Sequence, residues 1–339
     1  METAPLSPFR IPNYAFRIRE DYRTPRDWLR PWRDPPGFFL PNCPCCGVNS
    51  SLSYHTIGGL TAGSPSVRRN TNYQYTIDAH TTKATLDKAI DSMAGCTPIG
   101  GGPCYKYGGV CAVSPFWLQQ ADSYAPDAWT SQTAMPSPGR YRSAGVAISA
   151  LCYSWGGWNS SNVPQSQNDQ MTPGSPATWT TRTAMTASRA NSAASSINTK
   201  GYNFCGDDAT PAQQRTNYEY DPTGNSWATK TQSPTPARDG MACFTISGKA
   251  YIIDGGATIN PQNDSYAVDT WTNKTPPPSA AKRQFLSGAS DDTAGIGYIT
   301  GGLQPTGATV ATHEGYVPDV WTSRANLPVT IQNAVSLYA

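Results

Sequence analysis

The chain has 339 residues with a net charge of +2, and only 14% of them are charged against 38% that are hydrophobic. Such a low charge excludes coiled coils and helical arrays, and the 18 Tyr, 10 Trp and 8 Phe are too many for a disordered chain. No apolar run reaches the ~18 residues of a membrane span, and the small net charge provides no global attraction to nucleic acid. With 30 Gly and 30 Pro, the composition predicts a turn-rich all-β protein.

Residues 1–49 differ from the rest of the chain and are predicted to form an extended arm. They contain nine prolines, seven arginines and eight aromatic residues, and no lysine. Proline at this density prevents long helices, and Arg with aromatics is the composition of interface anchors. The proposed anchoring residues are Arg17, Arg19, Tyr22, Trp28, Arg30, Trp32, Phe38 and Phe39. The arm either wraps the flank of its own domain or docks on a neighbouring subunit, and its five acids argue against nucleic acid.

The beginning of the chain, METAPLSPFR, has no basic stretch followed by an apolar core, so we expect no secretory signal. The surface composition, rich in Gly, Ser, Thr, Asn and Gln, is nevertheless typical of proteins that meet the outside of a cell. A chain without its own signal can reach the outside as part of a particle. These features favour a virion location, with the cytoplasm as the alternative.

The nine cysteines include a cluster, CPCCG, at the end of the arm. Cys43, Cys45 and Cys46 have three alternatives: a structural zinc site, disulfides to Cys96 or Cys104, or thiols. The C-x-C-C spacing differs from the usual C-x₂-C of zinc sites, so no cofactor is predicted beyond that zinc alternative. The default prediction for three further cysteines in predicted strands is buried free thiols: Cys152, Cys205 and Cys243.

Three short elements recur from about residue 50 to the end. One is Tyr-x-x-Asp-x-Trp-Thr, as in YAPDAWT, YAVDTWT and YVPDVWT. A second is an aromatic strand ended by Gly-Gly, as in YHTIGG, YKYGG, YSWGG and YITGG, and a third is a preceding strand of small residues. The anchors of the first element, at spacings of 49, 50, 48, 44 and 50, are His80, Trp129, Trp179, Trp227, Trp271 and Trp321. A period near 50 residues indicates a repeat fold.

The order of these elements resembles the kelch repeat, and the resemblance covers roughly residues 50–339. The copy with the clearest match runs from residue 217 to residue 256. The resemblance implies a kelch-like β-propeller, in which each repeat is one four-stranded blade. Gly-Gly permits a turn with positive φ and a close approach between blades. Each Trp then packs against the next blade.

Counting repeats predicts six blades. The five complete repeats and the two fragments that would share a sixth blade are 88–132, 140–183, 188–231, 237–275, 283–324, and 331–339 with 50–86. The C-terminal fragment has only an inner strand, and the segment from residue 50 has only the outer strands. We therefore predict that the C-terminal strand pairs with the N-terminal strands and closes the ring, which removes exposed sheet edges.

Four arginines recur just before the inner strands, at spacings of 49, 49 and 45: Arg140, Arg189, Arg238 and Arg283. The kelch resemblance places the start of the inner strand at the rim of the central pocket. Two interpretations remain open. The arginines bind an acidic peptide or an anionic sugar at the rim, or each pairs with loop carbonyls or a local acid such as Asp239.

The sequence offers no catalytic constellation. His55, His80 and His313 share no metal-binding spacing, and no nucleophile elbow or P-loop is present. We expect a non-catalytic structural or adhesion component of a large assembly, most plausibly a bacteriophage virion protein of the tail, neck or head. The arm would contact other virion or assembly proteins, and the propeller would face a host protein or glycan. The alternatives are a cytosolic kelch interaction scaffold and a glycan-binding or glycan-modifying propeller.

Overall fold

The computed structural model describes residues 54–61, 67–76, 79–99, 102–111, 117–125, 127–210, 212–256, 261–278 and 283–338. All of them belong to the second of two units into which the chain divides, Ser51–Ala339. The predicted arm and Cys43, Cys45 and Cys46 lie outside the described residues.

The described residues form strands and no helix. None of them therefore belongs to a helix that could cross a membrane. In chain order the strands are β1 Tyr54–Ile57, β2 Leu60–Thr61, β3 Val67–Arg68, β4 Asn72–Thr76, β5 Ala79–Thr82, β6 Ile90–Asp91, β7 Ala94–Cys96, β8 Cys104–Tyr107, β9 Val110–Cys111, β10 Ala121–Ala125, β11 Ala128–Gln132, β12 Ala144–Ile148, β13 Leu151–Trp155, β14 Asn168–Thr172, β15 Thr178–Arg182, β16 Ala193–Ile197, β17 Lys200–Phe204, β18 Asn217–Asp221, β19 Ser226–Lys230, β20 Ala242–Ile246, β21 Lys249–Ile253, β22 Asn263–Ala267, β23 Thr270–Asn273, β24 Ser287–Asp291, β25 Ile296–Thr300, β26 His313–Val317, β27 Val320–Ser323 and β28 Val335–Tyr338.

These strands build six four-stranded antiparallel sheets, the blades of a propeller. From the inner to the outer strand they are blade 1 (β28-β1-β4-β5), blade 2 (β7-β8-β10-β11), blade 3 (β12-β13-β14-β15), blade 4 (β16-β17-β18-β19), blade 5 (β20-β21-β22-β23) and blade 6 (β24-β25-β26-β27). Two short pairs, β2-β3 and β6-β9, lie in the connections. The prediction of a six-bladed all-β propeller is confirmed.

Burial changes from the inside of a blade to its outside. In blades 3 to 6, the inner strand alternates buried and half-buried residues, as expected for a strand with one face toward a channel. The second strand, such as β13, is buried almost throughout because neighbouring blades cover both of its faces. The outer strand, such as β15, is mostly exposed.

The C-terminal strand closes the ring, as the sequence predicts. β28 pairs antiparallel with β1, so that Val335 lies opposite Ile57 and Tyr338 opposite Tyr54. β1 also pairs with β4, which makes β28 the inner strand of blade 1. The two ends of the described chain thus share one sheet.

The Tyr-x-x-Asp-x-Trp element joins each blade to the one before it. In five blades the Trp Nε1 donates a hydrogen bond of 2.8–2.9 Å to a carbonyl of the preceding blade, as from Trp271 to Thr231 O. The Asp of the element accepts from a backbone N–H of the preceding blade, as Asp269 does from Thr231 N. In blade 1, His80 Nε2 and Ala325 O make the equivalent contact at 3.0 Å. Imidazole therefore fills the position of indole at the closing blade.

A circle of six residues surrounds one end of the central channel. Each is the residue two before the inner strand of its blade, and each has a φ between +53° and +60°. The N–H of each donates to the carbonyl of its counterpart in the preceding blade, at 2.7–3.0 Å, until the circle closes. We call this set the mouth ring: Ser92, Arg142, Asn191, Gly240, Phe285 and Asn333.

The channel inside the mouth ring is lined by small residues from all six inner strands. Ala and Gly dominate, as at Gly95 and Gly145, and the cavity has a volume of about 150 Å³. A Cβ at Gly145 would collide with the backbone of Gly95 in the neighbouring blade. Small side chains are therefore required where adjacent inner strands approach each other.

Candidate functional site

Two side chains of the mouth ring, those of Arg142 and Phe285, contact each other at the end of the channel. The Arg142 guanidinium carbon lies 4.7 Å from the centre of the Phe285 ring, a cation–π contact. These residues belong to blades 3 and 6, which are opposite each other in the ring. Phe285 also covers Gly240, since a Cβ there would lie 2.8 Å from Phe285 Cδ1. The pair therefore reaches across the mouth of the channel.

Two buried carboxylates lie beside Arg142. Asn191 Nδ2 donates to Asp207 Oδ2 at 2.6 Å, and Gln213 Nε2 donates to Asp239 Oδ1 at 2.6 Å. Burial, followed by the charge of Asp207, raises the pKa of Asp239 to about 6, although Gln213 and Arg142 oppose the shift. Burial also raises the pKa of Asp207, against the effect of Asn191 and Arg142. Arg142 is thus a cation whose charge acts on both carboxylates.

A pocket with a volume of about 280 Å³ opens next to Arg142, where blades 1, 2 and 3 meet. It combines aromatic, amide and charged side chains. Its lining residues are Leu60, Arg68, Asp91, Ser92, Val110, Trp117, Tyr141, Arg142, Asn162 and Asn333. Three of them belong to the mouth ring, so the pocket is built on the closed circle of hydrogen bonds.

The polar groups of this pocket are held in place by one another. Arg68 Nε and Asp91 Oδ2 form an ion pair at 2.6 Å, and Ser92 Oγ donates to Asp91 Oδ1 at 2.6 Å. Tyr141 Oη donates to Asn162 Oδ1 at 2.7 Å. Arrangements of this kind fix the orientation of donors and acceptors before a ligand arrives.

The four recurrent arginines are inside the blades and not at the surface. Arg140, Arg238 and Arg283 are at most 1% exposed and Arg189 is 5% exposed. Three of the guanidinium groups pair with a carboxylate on the third strand of the same blade: Arg140 with Asp169, Arg238 with Asp264 at 2.6 Å, and Arg283 with Glu314. The guanidinium groups of these arginines therefore do not line a pocket at the rim of the channel.

Blade 4 has no acid at the corresponding position. Arg189 lies with its guanidinium carbon 5.7 Å from the Tyr218 ring and donates to Thr216 Oγ1 and Ser188 O. Blade 2 uses a different cation, because Lys106 on β8 pairs with Asp122 at 2.5 Å. Local pairing, the second interpretation of the repeat, is what the geometry of all four arginines shows. Asp239, the acid suggested for it, instead accepts a hydrogen bond from Gln213 Nε2 at 2.6 Å.

The predicted partners of Cys96 need a correction. Cys96 forms a disulfide with Cys152, with the Cα atoms 6.0 Å apart, and not with the junction cysteines. The prediction of a free thiol at Cys152 is wrong, because β7 of blade 2 and β13 of blade 3 bring the two cysteines within bonding distance. Cys104 is buried and accepts a hydrogen bond from Thr97 Oγ1 at 3.3 Å. Cys205 and Cys243 are free thiols, the first buried and the second half-buried.

The three histidines lie apart from the mouth ring pocket. His55 Nδ1 contacts Asn72 Oδ1 at 2.8 Å, and burial lowers the pKa of His55. His313 contacts the Tyr54 hydroxyl at 2.6 Å, and burial lowers its pKa to about 3. Within the described ranges, no three His, Cys, Asp or Glu side chains are grouped so as to hold a metal ion.

Sequence reasoning missed Arg142, Asp207 and the pocket beside them. Arg142 lies only two residues after Arg140. Arginine recurs in other repeats at the position of Arg140 but not at that of Arg142, so the repeat pattern indicated only Arg140. The signal that could have found it is divergence: the residues of the mouth ring differ in every blade except two, both asparagine. In a repeat fold, a position that varies while its neighbours recur is free to serve a function.

Comparisons with known proteins agree on the fold and go no further. No family model matches the chain, and no curated protein matches it. Among solved structures, the chain is similar to that of YjhT, with a TM-score of 0.60 and 15% sequence identity over 73% of this chain and 87% of that one. At this identity the similarity concerns the backbone alone. The chain is a six-bladed β-propeller.

Proposed function

We propose that this chain is a non-catalytic adhesion component of a large assembly, in which the propeller presents the mouth ring face to a protein or glycan. The observation that carries the proposal is the pocket beside Arg142, a preformed mixture of aromatic and polar side chains on a closed rigid ring. β-Propellers are commonly interaction modules, and binding faces of this kind need rigid support.

The proposal extends to a virion, most plausibly of a bacteriophage, with residues 1–49 as the anchor. The support for this part is the sequence: an arm rich in Arg, Pro and aromatics, and a polar surface of low charge. The kelch-like order of the repeats supports an interaction role equally well in a cytosolic scaffold. What separates the two is whether the arm attaches the propeller to a particle.

Deletion of residues 1–40 tests the anchoring role. We expect the shortened chain to keep the β-sheet circular dichroism and thermal transition of the full chain, and to be absent from purified particles. The matched control is the full chain with Trp117→Ala, which alters the pocket and should still enter particles. Incorporation of the shortened chain at the normal level would contradict the proposal.

A further inference from the structure

The pocket between blades 1, 2 and 3 has the chemistry of a sugar site. We propose that it binds an uncharged pyranose ring, the terminal or branching unit of a neutral glycan. This inference rests on the proposed function, because it names the ligand class for the contact face. It is argued below from the size of the pocket, its aromatic surface, its donors and its charge.

The size and the aromatic residues suit a small ring. At about 280 Å³ the pocket is slightly smaller than the ~300–1,000 Å³ of sites for drug-sized ligands. Trp117 and Tyr141 line it, and both are half-buried, so part of each ring remains accessible. One face of a pyranose consists of C–H groups, and this apolar face packs on an aromatic ring while the hydroxyl groups stay at the edge.

The polar residues provide donors in fixed positions. Asn162 accepts from Tyr141 through Oδ1, which orients the amide and leaves its Nδ2 group as a donor. The Arg142 Nε is buried and lacks an acceptor within the described part of the chain. A sugar hydroxyl can accept from one group and donate to another. It is therefore a suitable partner for a buried donor that would otherwise cost free energy.

The charges of the pocket compensate each other before any ligand binds. Arg68 is paired with Asp91 at 2.6 Å. The charge of Arg142 opposes, without overcoming, the rise that burial causes in the pKa of Asp207 and in that of Asp239, so Arg142 already interacts with two acidic side chains. An anionic ligand would compete with these carboxylates, and a cationic ligand would compete with the arginines. An uncharged, hydroxyl-rich ligand meets neither competition.

Binding of sugars to the full-length chain tests the inference. The probes are methyl glycopyranosides of neutral hexoses and N-acetylhexosamines, followed by neutral and carboxylated oligosaccharides on an array. We expect at least one neutral probe to bind, and Trp117→Ala or Asn162→Ala to weaken that binding at least 10-fold. The matched control is Trp158→Ala, a tryptophan that does not line the pocket, which should leave binding within about 2-fold.

Each result decides the matter. Asn162 is exposed and has a φ of +55°, a conformation that Gly adopts without strain and Ala does not, so Asn162→Gly is measured beside Asn162→Ala. A loss of binding in the glycine variant with an unchanged thermal transition then reports on the pocket itself. Absence of binding to every neutral probe would overturn the inference, as would binding only to carboxylated sugars or binding unaffected by both variants.

The two proposals can fail separately. A chain that enters particles through its arm but binds no sugar keeps the proposed function and loses this inference. A chain that binds a neutral sugar but belongs to no assembly does the reverse.

Discussion

At the scale of single residues, the described arginines that precede the inner strands have different environments. Arg140, Arg238 and Arg283 are buried and paired with strand acids, and such pairs serve the blade, since removing one partner would leave an uncompensated charge. The charge of Arg142 acts on Asp207 and Asp239, two carboxyl groups whose pKa is raised by burial. Arg140 thus has a structural role inside its blade, whereas Arg142, two residues later, lines a pocket.

The pKa of Asp239 gives a prediction about pH. Because the folded pKa is raised to about 6 from the model-peptide value of 3.8, the folded state binds this proton more tightly than the unfolded state. The resulting stabilisation is complete below pH 3.8 and is lost as pH rises through 6. Asp239→Asn should therefore raise the melting temperature at pH 7.5, and the gain should disappear as pH falls to 4.

The control for this measurement is Asp208→Asn at the half-buried acid that follows Asp207 in the chain. Hydrogen bonds from Thr210 lower the pKa of Asp208, so the sign is opposite and its loss should slightly lower the melting temperature at pH 7.5. Equal shifts for the two variants, or a gain for Asp239→Asn that persists at pH 4, would contradict the assignment.

At the scale of elements, the outer strand of each blade acts through one aromatic N–H donor. Five blades use Trp and blade 1 uses His80, which also lies 5.1 Å from the ring of Tyr75 and 5.3 Å from that of His313. In four of the other blades the Trp packs against the equivalent Tyr, as Trp271 does on Tyr266 at 4.9 Å, and in blade 3 Trp179 lies opposite Met171. His80 and the Trp residues therefore make the same hydrogen bond and differ in the size of the side chain.

This equivalence predicts the effect of two substitutions. His80→Trp should preserve the fold, because Trp makes the same bond in the other five blades. His80→Ala should cost about 1–3 kcal/mol through the lost hydrogen bond and ring contacts. The measurement is urea unfolding of the two variants beside the wild type. A His80→Trp variant less stable than His80→Ala would show that blade 1 has no room for the indole and that the positions are not equivalent.

The elements also show what sequence could and could not predict. Gly-Gly, Tyr and Trp recur in most blades because each makes the same contact there, so blade number and closure were predictable. The partners of Arg140 and Arg238 lie 29 and 26 residues further along the chain, on a strand two places away in the sheet. The left-handed conformation of Arg142 and Phe285 is unusual for these residue types. The contact between Arg142 and Phe285 across the end of the channel exists only because the closed ring brings blades 3 and 6 opposite each other.

At the scale of the whole molecule, the ring is closed within blade 1, where β28 pairs with β1. Leu337 on β28 is 4% exposed and packs in a cluster with Ile57, Ile90 and Met93 from blades 1 and 2. The disulfide between Cys96 and Cys152 joins blade 2 to the next blade, blade 3. The junction near the two ends of the described chain is thus held by packing and strand pairing, and the covalent bond reinforces the neighbouring contact between blades 2 and 3.

Closure predicts the consequence of weakening the last strand. Leu337→Ala should destabilise the protein by about 2–5 kcal/mol, because it removes buried contacts between two blades. The loss should appear in the single unfolding transition of the whole propeller. The control is Val268→Ala at a 95% exposed hairpin position, with an expected change below about 0.5 kcal/mol. A separate early transition for Leu337→Ala would instead show that blade 1 opens alone.

The mouth ring couples the number of blades to the backbone itself. Its six hydrogen bonds run in one rotational sense, each from a donor to the acceptor in the blade before it. A cyclic ladder has no terminal bond, so fraying, which starts at the ends of helices and sheets, has no starting point here. Gain or loss of one repeat would change the angle between every pair of neighbouring blades at the mouth ring. Evolution can therefore exchange the side chains at these six positions far more easily than it can change how many positions there are.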